Sequence, residues 1–206
     1  MSTPMNPFPE YTLLDGKEAA LATSASQLDS CSLEPRWIWY TGPMEDPSII
    51  GRCRLVAGSL EELEAIDGLA SRAGLKKGRL EMVGLRIIPS ALGNPSLGGI
   101  PEDDLPIVKR TLSGLRNISV NGCFASLQGD GKRGEELGEC FRVAYELGKR
   151  LYAFLPATMA YIGVCGVQEA IRREADDPVS LEETARIAQI VAQQNETAFY
   201  ATLLLS

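Results

Sequence analysis

Residues 80–127 constrain the fold more than any other stretch. LEMVGLRIIP is an apolar run closed by Pro89 and reads as a buried strand. A loop dense in Gly, Pro, Asn and Ser follows. PEDDLPIVKRTLSGL then places Leu105, Val108, Leu112 and Leu115 at helical spacing, with acids at the start, where the helix dipole favours them. NISVNGCFASL closes the unit as a second buried strand. Strand, helix and strand in this order predict a βαβ crossover with the two strands parallel.

The rest of the chain repeats the alternation. Residues 1–10 are rich in proline and read as a loose arm, leaving 11–206 as a single domain. A short apolar run at 12–14 precedes a predicted helix from Lys17 to about Leu28. RWIWYTGP is aromatic and stopped by Gly42-Pro43, so it reads as a strand, with Trp37 and Trp39 expected on opposite sides of it. MEDPSIIGRC is expected to supply a short helix. CRLVAGS is the next strand, running into a helix opened by Ser59 and Glu62 as a capping box and stopped by Gly74. Beyond the central unit, EELGECFRVAYELGKRL has helical spacing weakened by two glycines. LYAFLPATMAYIGVCG reads as one or two short strands split by Pro156, with 159–164 as the barrel strand, GVQEAIRREADD as a short helix, Ser180 and Glu183 as a second capping box, and 198–205 as a final strand. About seven strands are readable, alternating with helices. That predicts an α/β fold, and no GxGxxG follows the first strand to favour a dinucleotide-binding sheet.

Composition removes several functions. The chain has 206 residues and a net charge of −7, which argues against nucleic acid or an anionic membrane as a partner. It has no histidine, which removes Ser-His-Asp and Cys-His mechanisms and histidine-ligated zinc. Five widely spaced cysteines without a CxxC read as reduced thiols. MSTPMNPFPE has neither the basic nor the apolar region of a secretory signal, so the expected location is cytoplasmic. GDGKRG lacks the phosphate-loop pattern and reads as a surface loop at the carboxyl-terminal side of the strands. Glu102, Asp103 and Asp104 read as helix-opening acids and not as metal ligands.

Three pieces in order, LRIIP at 85–89, SLGGIPEDDL at 96–105 and NISVNGCF at 117–124, resemble the fold-type III pyridoxal-phosphate barrel. That family includes the alanine racemase N-terminal domain, the ornithine and diaminopimelate decarboxylases and the pyridoxal-phosphate homeostasis proteins. The resemblance implies a (β/α) barrel of TIM type. At 206 residues, against about 250 for that fold, it is expected to be reduced, incomplete or to hide one strand. The implied cofactor is pyridoxal 5'-phosphate, held as a Schiff base by a lysine on the first strand. No Ala-Val-x-Lys string is present. Lys17 is the candidate if 11–17 supplies that strand; if RWIWYTGP does, the position holds Tyr40 or Thr41 and no Schiff base forms there. Arg86 matches an arginine facing the active-site end of the family barrel, or else serves a structural salt bridge. Ser126 stands where the decarboxylases carry a histidine stacked on the cofactor. Gly163 and Gly166, in IGVCG, stand where a glycine-rich loop holds the cofactor phosphate. A Gly-Arg pair before the last strand is missing.

The resemblance implies amino-acid racemisation or decarboxylation, or cofactor homeostasis. A single-domain chain is closest to the homeostasis branch. The alternative is a degenerate, non-catalytic relative acting as regulatory or structural partner of a full-length homologue. The implied partners are the cofactor or an amino acid, and a homodimer or a hetero-oligomer with a homologue.

Overall fold

The computed structural model describes residues 10–13, 18–75, 79–155, 159–167, 186–191, 193–194 and 202–205. Its strands are β1 (Glu10–Leu13), β2 (Glu18–Ala22), β3 (Ile38–Tyr40), β4 (Arg54–Ala57), β5 (Glu81–Ile88), β6 (Ile100–Pro101), β7 (Ile118–Ser126), β8 (Tyr161–Cys165) and β9 (Thr202–Leu205). The helices are α1 (Ala25–Ser30), α2 (Leu60–Arg72), α3 (Leu105–Gly114) and α4 (Gly134–Phe154).

The pairings return on themselves. From β2 they run through β3, β4, β5, β7, β8 and β9 to β1, which pairs back with β2. Neighbours from β2 to β9 are parallel, whereas β1 is antiparallel to both β9 and β2. The two-residue β6 adds to the end of β5. The result is a barrel-type circuit in which one of eight strands is reversed. The expected βαβ unit is present, with β5 and β7 in direct parallel register and α3 between them in sequence.

Strand alternation sorts side chains between two cores. Leu55, Val83, Leu85, Ile87, Cys123, Ala125, Ile162 and Val164 face the helices and join one large apolar cluster. Trp39, Val56, Phe124, Tyr161 and Cys165 form a second cluster inside the ring. α2 contributes Leu63, Ile66 and Leu69 to the outer core. Ser59 caps it by accepting from the Glu62 N–H, and Glu62 reaches back to the Gly58 N–H at 2.6 Å. Gly74 ends the helix at φ 65°. α2 is clasped to the start of β7 by Asp67, whose carboxylate accepts from the backbone N–H of Arg116 and Asn117 at 2.9 and 2.7 Å.

Four local expectations change. The helix expected from Lys17 to Leu28 is a strand, β2, followed by the short α1. β2 fills the gap between β1 and β3, and that pairing outweighs the helix propensity of its three alanines. This is the strand hidden from the sequence count. Trp37 and Trp39 do not face opposite sides, since positions two apart share a strand face; Trp37 packs against the same inner cluster that contains Trp39. The 44–53 segment supplies only a single 3-10 turn, Pro47–Ile49. Residues 151–154 continue α4 instead of opening a strand. The glycines of α4 do not break it: a Cβ on Gly138 would stand 2.7 Å from Ile187, so the glycine admits the helical residues 186–191 at close range. The predicted arm apart from Glu10, residues 168–177 of the predicted 166–177 helix and the Ser180 capping box lie outside the described residues.

Glu81 opens β5 almost fully buried, with one carboxylate oxygen 3.4 Å from the Gly51 N–H. Burial raises its pKa, opposed by that hydrogen bond. A carboxyl whose folded pKa lies above its unfolded value binds its proton more tightly when folded. Stability therefore falls as pH rises from the unfolded glutamate pKa of about 4.3 through the raised folded value. Glu81→Gln is expected to flatten that fall and to be the more stable form at neutral pH. Urea unfolding across a pH series checks it; an unchanged pH dependence would remove Glu81 from this role.

Candidate active site at the carboxyl-terminal mouth

The inside of the ring is built by setting glycines against rings. Gly84 pairs with Gly122, and Gly122 with Tyr161; one level higher, Arg86, Phe124 and Gly163 are register partners. A Cβ on Gly84 would lie 2.0 Å from the Tyr161 hydroxyl, and one on Gly122 2.5 Å from its ring. The Tyr161 ring meets Trp39 edge-on, with centroids 5.3 Å apart, and tilts against Phe124 at 5.6 Å. The Arg54 guanidinium lies over both Tyr161 and Trp39, at 5.1 and 5.4 Å from the ring centroids. Burial raises the Tyr161 pKa, countered by the positive charge of Arg54 and by the Trp39 indole N–H. The inside is thus a packed layer of side chains, as in TIM-type barrels.

A site must lie above that layer, where β4, β5, β7 and β8 end. Arg86 shares the inward face of β5 with Gly84, and its Nε is buried without a hydrogen-bond partner among the described residues. Gly99 passes directly over it: a Cβ there would stand 3.1 Å from Arg86 Cγ. Gly99 ends a segment that crosses the mouth. Leu97 from that segment packs on the inner aromatic cluster, and its Cδ1 would lie 2.6 Å from a Cβ on Gly166.

The expected site residues are placed as follows. Arg86 is at the mouth. Ser126 is fully buried and its hydroxyl donates to the Gly98 carbonyl at 2.8 Å. Gly163 lies under the Phe124 ring, 2.0 Å from where its Cβ would be. Gly166 turns the chain after β8 at φ 85°, and its carbonyl accepts from the Gly129 N–H at 3.0 Å. Ser126, Gly166 and Arg86 therefore lie around one mouth, each against a different residue of the 97–99 segment: Gly98, Leu97 and Gly99 respectively. Lys17 lies outside the described residues; Glu18, which follows it, opens β2 on the opposite, amino-terminal rim.

Other chemistry is scarce. Burial pushes the Cys53 and Cys123 thiols up to about 12, with the Glu81 charge adding to the first and Cys165 to the second. Neither is a thiolate nucleophile at neutral pH. Among the described residues no cluster of His, Cys, Asp and Glu could hold a metal ion, and no helix is long and apolar enough to cross a membrane.

No family model and no curated protein matches the sequence. Solved structures do match. The diaminopimelate decarboxylase of M. jannaschii shares 16% identity at a TM-score of 0.68, covering 91% of this chain and 47% of that one. The Paramecium bursaria Chlorella virus arginine decarboxylase bound to agmatine shares 13% at 0.66, covering 94% and 52%. The ornithine decarboxylase of Entamoeba histolytica shares 15% at 0.60, covering 91% and 51%. The fold is that of the decarboxylase barrel. This chain spans about half the length of each of those decarboxylases. The inner aromatic layer and Leu97 are what sequence reasoning about the decarboxylase-type barrel missed. The alternation of glycine with Phe124 and Tyr161 in VNGCF and YIG was the available signal.

Proposed function

We propose that this decarboxylase-type barrel binds pyridoxal phosphate at its carboxyl-terminal mouth and carries it, with no turnover of amino acids. The observation that carries the reading is the buried, unpartnered Nε of Arg86 at the mouth. A buried guanidinium nitrogen without an acceptor is costly, and a phosphate or carboxylate supplies the missing acceptor. Leu97 rests on the inner cluster, over the aromatic floor that a planar ring at this mouth would contact. Carriage is favoured over turnover because the Ser126 hydroxyl is already engaged by the Gly98 carbonyl.

A second reading is a non-catalytic relative that acts as regulatory or structural partner of a full-length homologue. The packing of Leu97 and the covering of Gly163 by Phe124 favour it. One experiment separates the readings. The protein is incubated with pyridoxal phosphate, passed over a sizing column, scanned for absorbance, reduced with borohydride and mapped. Carriage predicts cofactor retained without a lysine adduct. An adduct on Lys17 would restore the racemase or decarboxylase reading. Cofactor lost on the column would favour the partner role.

A further inference from the structure

The segment over the mouth is built differently from a passive loop. Its base is stitched to the end of β7: the Asn94 N–H donates to the Ser126 carbonyl at 2.9 Å, and the Gln128 N–H to the Leu92 carbonyl at 2.8 Å. Its crossing part, residues 94–99, is tied far more lightly. A 3-10 turn, Pro95–Leu97, is closed by its own bonds. The Ser126 hydroxyl on the Gly98 carbonyl is the side-chain bond that holds the turn down. Two hinges flank the far end, Gly98 at φ 72° and Gly99 at φ 128°, both conformations that glycine adopts without penalty. At the near end Leu92 sits at φ 56°, the one non-glycine left-handed residue among the described residues. Strain of that kind gathers where a segment is held in one of two states.

The half-buried Leu97 is the apolar contact of this crossing. It rests on the floor that holds Trp39, Phe124, Tyr161 and Cys165, and it lies between Gly166 on β8's side and Gly99 above Arg86. We propose that residues 94–99 form a strap across the carboxyl-terminal mouth, with Leu97 as its stopper, and that an anionic planar ligand reaches Arg86 only when the strap lifts. The closed state then competes with the ligand for the aromatic floor. Only the identity of the ligand rests on the function proposed above.

Pyridoxal phosphate is the first probe, read by quenching of tryptophan fluorescence, since Trp39 lies in the floor. Leu97→Ala removes the stopper, and Ser126→Ala removes the bond on Gly98 while changing one buried hydroxyl. Near-ultraviolet circular dichroism confirms that each is folded. Both variants are expected to bind about tenfold tighter than the native protein, because a closed fraction no longer reduces the apparent affinity. Arg86→Met in the Leu97→Ala background should cancel the gain. Amide exchange at Leu97 and Gly98 should be faster in both opened variants. Equal affinity in all forms, or a gain that survives loss of Arg86, overturns the proposal. Anilinonaphthalene sulfonate is the second probe. If the opened variants take it up through Arg86 but ignore pyridoxal phosphate, the strap stands and the cofactor reading fails. If they take up neither, the strap itself fails.

Discussion

Tyr161→Ala is expected to lower unfolding stability by about 3–5 kcal/mol, the range for truncating a large buried ring. Tyr161 is 1% exposed. It covers Gly84 and Gly122, meets Trp39 and Phe124, and carries the Arg54 guanidinium on its face. Removing it leaves a void bounded on one side by the backbone of Gly84 and Gly122, which cannot collapse as side chains do. The same geometry makes Gly122→Ala destabilising by about 1–3 kcal/mol, since its methyl would enter the ring. In the Tyr161→Ala background that methyl enters the void instead. The double variant should therefore be more stable than the sum of the two losses by about 0.5–3 kcal/mol, the coupling expected of residues in direct contact. Urea denaturation of the four proteins measures it. Additive losses would mean that the ring does not lie on Gly122.

Much of the outer architecture was legible. Helix α2 and the βαβ unit follow from apolar periodicity, because each element buries one face on a neighbour close in sequence. Their caps are local too, which is why Ser59 and Gly74 could be read directly. The lost strand β2 shows where locality ends. EAALA carries no alternation, and only the vacancy between β1 and β3 makes it extended. A local sign was nevertheless present. Ser24 and Gln27 have capping-box spacing, and the Gln27 side chain accepts from the Thr23 and Ser24 N–H at 2.6 and 3.2 Å, so α1 could not begin before Ala25.

The mouth was legible only in part. Arg86 stood out because a charge in an apolar strand demands a partner. Gly163 looked like a phosphate cradle because a glycine's role depends on what approaches it, and here a ring from β7 does. Leu97 carried no sign at all, since an apolar loop residue gains meaning only once the strands beneath it close into a floor.

Arg86→Met should move stability and ligand affinity in opposite directions. Methionine has similar length and flexibility, so it keeps the packing under Gly99 while removing the charge. The Arg86 Nε has no acceptor among the described residues, and no ion pair there includes Arg86. Replacing a partly buried guanidinium whose Nε has no acceptor by an apolar side chain is therefore expected to leave stability equal or raise it by about 1 kcal/mol. Pyridoxal phosphate affinity should fall by about 30-fold or more, the effect of removing one partner of a buried charged pair. A structural salt bridge predicts the reverse for stability, a loss of about 3–5 kcal/mol from breaking a buried pair. Urea unfolding and fluorescence titration on the same variant read both quantities. A stable variant with unchanged affinity would take the anion away from Arg86, and with it the chemical reason for placing any ligand at this mouth.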